Sequence, residues 1–241
     1  MNRGQMKPAV LSRALHKWLG LLIGLQVVLW MASGFYMVVV DLDFVHGDLL
    51  VRNLRTPLAL ERAKIGFAEI ASSNPQATQI SLRALPSHPT PVYEVSTGNA
   101  KVLIDAADGQ TLSPLSETMI QALARSYYAG EGTVESIVLL EGDPPLEIQT
   151  RPLPLWRVDF DDWLETTLYI HPDSGALVTR RHRFWRWFDF FWMLHIMDYE
   201  QRTNINNWLL RVTTLVSLMG VVSGIWLLYF SFRRRRTHAA R

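Results

Sequence analysis

Two long apolar runs near opposite ends of the chain limit what it can fold into. From Trp18 to Val40 only Gln26 and Ser33 are clearly polar, and Val212 to Phe232 carries no charge; the runs are 23 and 21 residues long. A helix needs roughly 20 apolar residues to cross a bilayer core, so a freely soluble domain is not expected. The first run is too long for the core of a secretory leader and stays apolar past Ala32-Ser33-Gly34, which reads as an uncleaved signal anchor. The chain contains no cysteine. That excludes disulfide frameworks, thiolate zinc sites, iron–sulfur clusters, thioether-attached haem and cysteine nucleophiles together.

Charge sets the expected orientation. Residues 1–17 carry Arg3, Lys7, Arg13 and Lys17 and no acid, while residues 233–241 carry five arginines and no acid. With these nine positive charges set aside, a total of +2 leaves the middle of the chain at −7. The positive-inside rule then puts both termini in the cytoplasm and the middle outside, which for a bacterial inner membrane is the periplasm. The expected order is a basic N-terminus (1–17), a first transmembrane helix (18–40), a folded segment (55–182), an aromatic interfacial helix and linker (183–207), a second transmembrane helix (208–232) and a basic tail (233–241).

The folded segment reads as α+β and as duplicated, with repeats at about 56–112 and 113–180. Thr56-Pro57-Leu58 and Ser113-Pro114-Leu115 each offer a helix cap followed by proline at the first helical position. Helices are expected to run from there to about Asn74 and Gly130. Strand-like runs follow at Ala77–Leu85 and Val134–Leu140, then hairpins at Pro91–Val95 and Pro154–Val158. The returning strands close on Ile104-Asp105-Ala106-Ala107-Asp108-Gly109 and Ile170-His171-Pro172-Asp173-Ser174-Gly175, with glycine at matching turn positions.

This helix-then-antiparallel form resembles the PepSY domain, and the flanks carry the likeness further. Leu15-His16-Lys17-Trp18-Leu19-Gly20 is similar to the opening of the PepSY-associated transmembrane family. Trp192-Met193-Leu194-His195-Ile196-Met197-Asp198-Tyr199 with Asn206-Asn207-Trp208-Leu209-Leu210 resembles its short two-helix, VciB-like branch. The resemblance covers about residues 11–232. It implies a membrane α+β fold, two transmembrane helices flanking a periplasmic domain of two PepSY-like repeats. It also implies support of periplasmic ferric iron reduction, with a ferrous iron transporter as partner. Longer four-helix relatives resemble haem-containing reductases, so a site built from four helices requires a second copy of this two-helix chain.

Histidine is the best ligand the chain offers to a redox metal. His16 heads an arc of roughly 80° that also holds Gly20, Gly24, Met31 and Gly34. Gly20 with Gly24, and Gly220 with Gly224, are small-residue pairs of the kind that let helices approach closely. They suit homodimer packing, or flat room for a porphyrin with His16 as axial ligand. His195 ends an aromatic run, Phe184 to Trp192, with seven aromatics in nine residues, as expected of a helix at headgroup level. Its polar partner is expected to be Asp198, or a haem iron. Asp41, Asp43 and His46, with Asp48, mark the exit of the first span and suit iron or another hard or borderline cation; solvated flank is the alternative. The same alternative applies to Asp159, Asp161, Asp162 and Glu165. His88, His171 and His182 read as surface residues.

No P-loop, dinucleotide fingerprint, zinc-protease helix or nucleophile elbow occurs, and the basic residues gather at membrane edges, which gives no nucleic-acid surface. Two functions remain. One is ferric reductase-like electron transfer in a homodimer, with haem b or iron at His16 and His195. The other is a non-enzymatic, membrane-anchored binding or regulatory module or a transporter accessory. Both place the chain in the bilayer, and a reporter fused after Arg236 is expected to be active only in its cytoplasmic form; periplasmic activity there would overturn this topology.

Overall fold

The computed structural model describes residues 8–54, 56–98 and 100–239. Arg3, Lys7 and Arg241 of the basic termini lie outside the described residues. The chain divides into two compact units, Met1–Val40 with Phe188–Arg241, and Asp41–Trp187.

The first unit is helical. α1 runs Pro8–Val39, and α6 runs Trp208–Ala239. The segments His16–Val39 and Trp208–Tyr229 have mean hydropathies of 1.9 and 1.8, and only 6% of each is buried. Both helices are thus long and apolar enough to cross a membrane, and their low burial separates them from the core helices of a soluble protein. The two pack antiparallel. His16 reaches Gly220 and Ser223 of α6, and a Cβ on Gly220 would lie 3.7 Å from Ile23.

The helix preceding α6, α5 (Arg183–Ile196), packs its second half along the upper part of α1. Tyr36 lies tilted against Phe191 at 4.5 Å between ring centroids and approaches Phe188 at 6.5 Å. Asn207 joins α5 to α6: its side-chain amide donates to Ile196 O at 2.8 Å, and its Oδ1 caps the Leu210 amide at 2.8 Å. In the connection between them, the Asp198 carboxylate accepts from the amides of Asn204, Thr203 and Gln201. Those donors hold its carboxyl below the ordinary range. From Gly224 back to Trp208 is sixteen residues, about 24 Å at 1.5 Å per residue. α6 therefore begins near the level of Ser33, and above it α5 takes over as the partner of α1.

The second unit is α+β. After the one-turn α2 (Leu42–His46) come α3 (Phe67–Ser73), then β1 (Gln79–Ala84), β2 (Pro91–Thr97) and β3 (Ala100–Asp105). α4 (Glu117–Tyr127) is followed by β4 (Val134–Leu140), β5 (Leu155–Phe160), β6 (Thr167–Ile170) and β7 (Leu177–Arg181). Each set of strands is an antiparallel meander, β1-β2-β3 and β4-β5-β6-β7. The inner face of α4 supplies Ile120, Leu123 and Ala124, which are fully buried with Leu85, Val92 and Leu103 from the first meander region and Val158, Leu168 and Ile170 from the second. One helix thus gives the two small sheets a common core. Gly175, at φ +63°, lies where a Cβ would come within 2.9 Å of Leu115 and Leu123.

The helices start later than the proline pairs imply. Thr56-Pro57 leads into no α-helix, and α3 begins after Gly66. α4 is capped by Ser116, whose hydroxyl accepts from the Met119 amide. Ser113 is occupied elsewhere, since its hydroxyl accepts from Leu103 N at 2.8 Å and donates to Asp173 O at 2.6 Å. It ties the two meanders together and is not available as a cap. β7 is an added strand at the end of the second meander.

Asp105 is the buried acid of the first meander. It accepts from His88 Nε2 at 2.7 Å, Thr90 Oγ1 at 2.8 Å and the Ala107 amide at 2.7 Å. Burial pushes its carboxyl up, but the amide and the two side-chain donors outweigh it and leave the carboxyl below the ordinary range. A depressed carboxylate stabilises the fold above its unfolded pKa, and that contribution is lost as pH falls through the folded value. The unit is expected to lose stability below about pH 4. Asp105→Asn should cost about 1–3 kcal/mol at neutral pH and flatten that acid limb, as measured by thermal melts of the full chain across pH.

Candidate functional site

His16 sits on α1 where the sequence reading expects a functional imidazole, and the surroundings fix its chemistry. Nδ1 lies 3.1 Å from the carbonyl of Gly220 and 3.0 Å from Ser223 Oγ. A carbonyl only accepts, so Nδ1 carries a proton, and Nε2 makes no hydrogen bond among the described residues. The Ser223 hydroxyl is turned back onto Gly220 O at 2.7 Å, which leaves its oxygen free to accept. Gly224 makes room for the ring, since a Cβ there would lie 3.1 Å from His16 Cε1.

His195 repeats the arrangement from the other direction. Its Nδ1 lies 3.0 Å from Ser33 Oγ, and Ser33 donates its own proton to Leu29 O at 2.7 Å. With that proton on Leu29 O, Ser33 Oγ accepts from Nδ1, and Nε2 makes no hydrogen bond among the described residues. Gly34 gives room, its would-be Cβ standing 3.5 Å from His195 Cε1. The backbone at this point is tied as well, because Trp30 Nε1 donates to His195 O at 2.7 Å. Asp198, the expected partner, is instead committed to the amides of the connection that follows. Ser33 stands in the sequence only as one polar interruption of an apolar run. Its role is visible only once α5 lies against α1.

The glycine pairs divide. Gly220 and Gly224 are filled from within the same chain by Ile23 and His16, whereas a Cβ on Gly20 or Gly24 would meet nothing within 4 Å among the described residues. His16 and Ser33, the contact of His195, are seventeen residues apart on one helix, about 25 Å along its axis.

At the start of the second unit, Asp43, His46 and Asp48 bring possible ligand atoms within 4.8 Å of one another, all exposed. Asp41 stands apart: its carboxylate caps α2 by accepting from the Phe44 amide at 3.0 Å. Asp48 is also ion-paired with Arg180. The other acidic stretch is structural. Asp159 bonds Ser136, Arg157 and Thr167, Asp161 bonds Thr133, Asp162 bonds Tyr128 and Thr166, and Glu165 pairs with Arg183. Burial, reinforced by Asp162, pushes the Tyr128 hydroxyl up to about 12, so it stays a donor.

Of the histidines read as surface residues, His182 is the clear correction. It is 0% exposed. Its Nε2 donates to Phe44 O at 3.0 Å and Val45 O at 2.9 Å, while Nδ1 is buried without a partner among the described residues. Burial pushes its pKa below the ordinary value, against the two carbonyls that favour a proton. Gly47, at φ +71°, lies over the ring, where a Cβ would approach Cδ2 to 3.3 Å. His88 is bound to Asp105. His171 accepts from the Asp173 amide at 3.1 Å within a turn.

No known protein family, curated protein or solved structure matches this chain.

The geometry separates the two glycine pairs by experiment. Gly224→Leu must expel the His16 ring and is expected to destabilise the helical unit by about 1–3 kcal/mol, as overpacking does. Gly20→Leu should leave the packing of α1 on α6 undisturbed and cost markedly less stability. Equal effects of the two substitutions would contradict this packing.

Proposed function

We propose that this chain is a bacterial inner-membrane protein of the PepSY-associated transmembrane type that carries electrons outward to ferric iron and so supports iron uptake. In this reading α1 and α6 cross the bilayer with both termini in the cytoplasm. The α+β unit, taken as two PepSY-like repeats, lies in the periplasm. One observation carries the proposal: two imidazoles at levels about 25 Å apart along α1 each have Nδ1–H bound to a protein acceptor, with no hydrogen bond from Nε2 among the described residues. That is the tautomer an imidazole needs to ligate a metal, and a second-shell acceptor on the other nitrogen is the usual means of fixing it.

The residues present fit a b-type haem in donor type. His16 and His195, about 25 Å apart along α1, could not share one group, and each would hold a separate one through Nε2. Gly20 and Gly24 leave open surface one and two turns from His16. A haem bound there supplies one-electron transfer. The chain's own part is to orient the two rings: Gly220 O and Ser223 fix His16, and Ser33 fixes His195. A homodimer supplies two copies of each histidine in a four-helix core, where bundles commonly hold cofactors. Asp43, His46 and Asp48 offer oxygen and nitrogen donors to iron at the exit of α1, upstream of a ferrous iron transporter.

A second reading, a membrane-anchored binding or regulatory module or transporter accessory, is favoured by one feature of the α+β unit. β4 is an edge strand of its sheet, and Val138 and Leu139 on it are exposed by 48% and 38%. Such an edge can accept a strand from a partner.

The spectrum of the detergent-purified protein distinguishes the two. A Soret band is expected, lost in His16→Ala and His195→Ala along with ferric reduction, while His171→Ala is silent. Ser33→Ala, which removes only the orienting acceptor, should weaken cofactor retention by about 10–100-fold. A colourless protein whose His16→Ala and His195→Ala variants retain full iron-reduction activity would leave the binding-module reading in its place.

A further inference from the structure

Trp163 stands at the tip of the connection between β5 and β6 with 67% of its surface exposed. The loop that carries it is tightly held. Asp161 accepts from the hydroxyl of Thr133, Asp162 accepts from Thr166 N at 2.7 Å and Tyr128 Oη at 2.8 Å, and Glu165 is paired with Arg183. A braced loop that presents an indole to solvent forgoes burial that the fold could otherwise use. The ring is not isolated. It meets Phe184 edge-on at 6.0 Å, and Phe184 packs on Phe44 at 5.1 Å.

Those two partners place the cluster along the chain. Phe44 follows the end of the first apolar run by four residues, and Phe184 precedes by one helical turn Phe188, where α5 meets Tyr36 of α1. Leu49, just past Phe44, is 77% exposed, and Trp187, three residues beyond Phe184 on α5, is 54% exposed. The basic side chains here do not stand as loose charge: Arg180 pairs with Asp48, Arg183 with Glu165, and Arg186 with Glu147. Exposed tryptophan beside apolar side chains, close to where spanning helices leave the hydrocarbon, is the composition of a headgroup-level belt.

We infer that Trp163, with Leu49 and the Phe44–Phe184 pair, forms a lipid-seated foot of the α+β unit, inserted at headgroup level into the bilayer that α1 and α6 cross. The inference rests on the membrane-spanning reading and adds a contact made by the β5–β6 connection, far in sequence from either span. The occupant is the lipid interface, reached from positions that follow α1 and precede the second half of α5 by only a few residues of chain.

The cysteine-free sequence allows a direct test with single nitroxide labels on the full chain in vesicles of phosphatidylethanolamine and phosphatidylglycerol. Trp163→Cys, Leu49→Cys, Leu218→Cys on α6 and Leu60→Cys on an exposed turn before α3 are compared by collision with oxygen and with a water-soluble nickel chelate. The oxygen-to-nickel ratio at positions 163 and 49 is expected to exceed that at 60 severalfold and to approach that at 218. A water-like ratio at 163 and 49 beside a lipid-like one at 218 sinks the foot and leaves the spans intact. Water-like ratios at all four positions sink the spanning reading and the foot with it. Shielding of 163 from both reagents means that protein covers the indole, such as a second copy, and also overturns the inference. Leu49→Cys keeps the test decisive if removal of Trp163 disturbs its loop.

Discussion

Two helices that offer each other mostly hydrocarbon have little reason to prefer one register, and here a few polar bonds make that choice. In lipid, apolar side chains pack as well against acyl chains as against a neighbouring helix, so close approach and interhelical hydrogen bonds must decide. The bonds occur at two levels. At one, His16 reaches Gly220 and Ser223; at the other, Ser33 and Trp30 hold the side chain and carbonyl of His195. Sliding either partner by one turn, about 5.4 Å, would break the set at that level. Gly224 is part of the same device, because a Cβ there would crowd the His16 ring at 3.1 Å, whereas one on Gly34 would only touch His195 at 3.5 Å.

That register has a consequence for the second candidate span. α6 begins near the level of Ser33, so the last turns of α1 extend past it, and the aromatic half of α5 lies alongside them. The connection between α5 and α6 is polar, and a polar backbone near hydrocarbon must find partners within the protein. Asp198 gathers three amides, Asn207 takes the carbonyl of Ile196, Trp192 Nε1 donates to Arg202 O at 3.0 Å, and Arg202 is ion-paired with Asp189. The break between the helices is thus extensively satisfied within its own unit.

Composition and periodicity made some of this legible. Charge-free runs of sufficient length locate α1 and α6 directly, and alternation with glycine-bearing turns locates β2, β4 and the ends of β3 and β6. Helix starts were less legible, because a serine or threonine before proline has the chemistry of a cap whether or not it is used as one. Ser113 is spent on Leu103 and Asp173, partners that lie 10 and 60 residues away, and nothing local announces that. The partner of His195 was hidden for the same reason. Asp198 is near in sequence, whereas Ser33 is 162 residues distant and becomes a neighbour only through packing.

The three histidines with carbonyl or hydroxyl partners show why a residue type alone does not mark a site. Each spends one ring nitrogen as a donor, and the difference lies in the nitrogen left over. On His182 it is Nδ1, sealed in the core beside Phe44 and Phe184 with no exposed surface on the residue. A lone pair there meets neither solvent nor ligand, and the ring serves to pin the Phe44 and Val45 carbonyls above β7. His16 is exposed and His195 half-buried, so neither ring is sealed in a core. Metal ligation needs a fixed tautomer and an open lone pair together. Among the described residues of the helical unit, His16 and His195 have one ring nitrogen fixed and are not sealed in a core, which is why the functional reading rests on them and not on the most deeply buried imidazole.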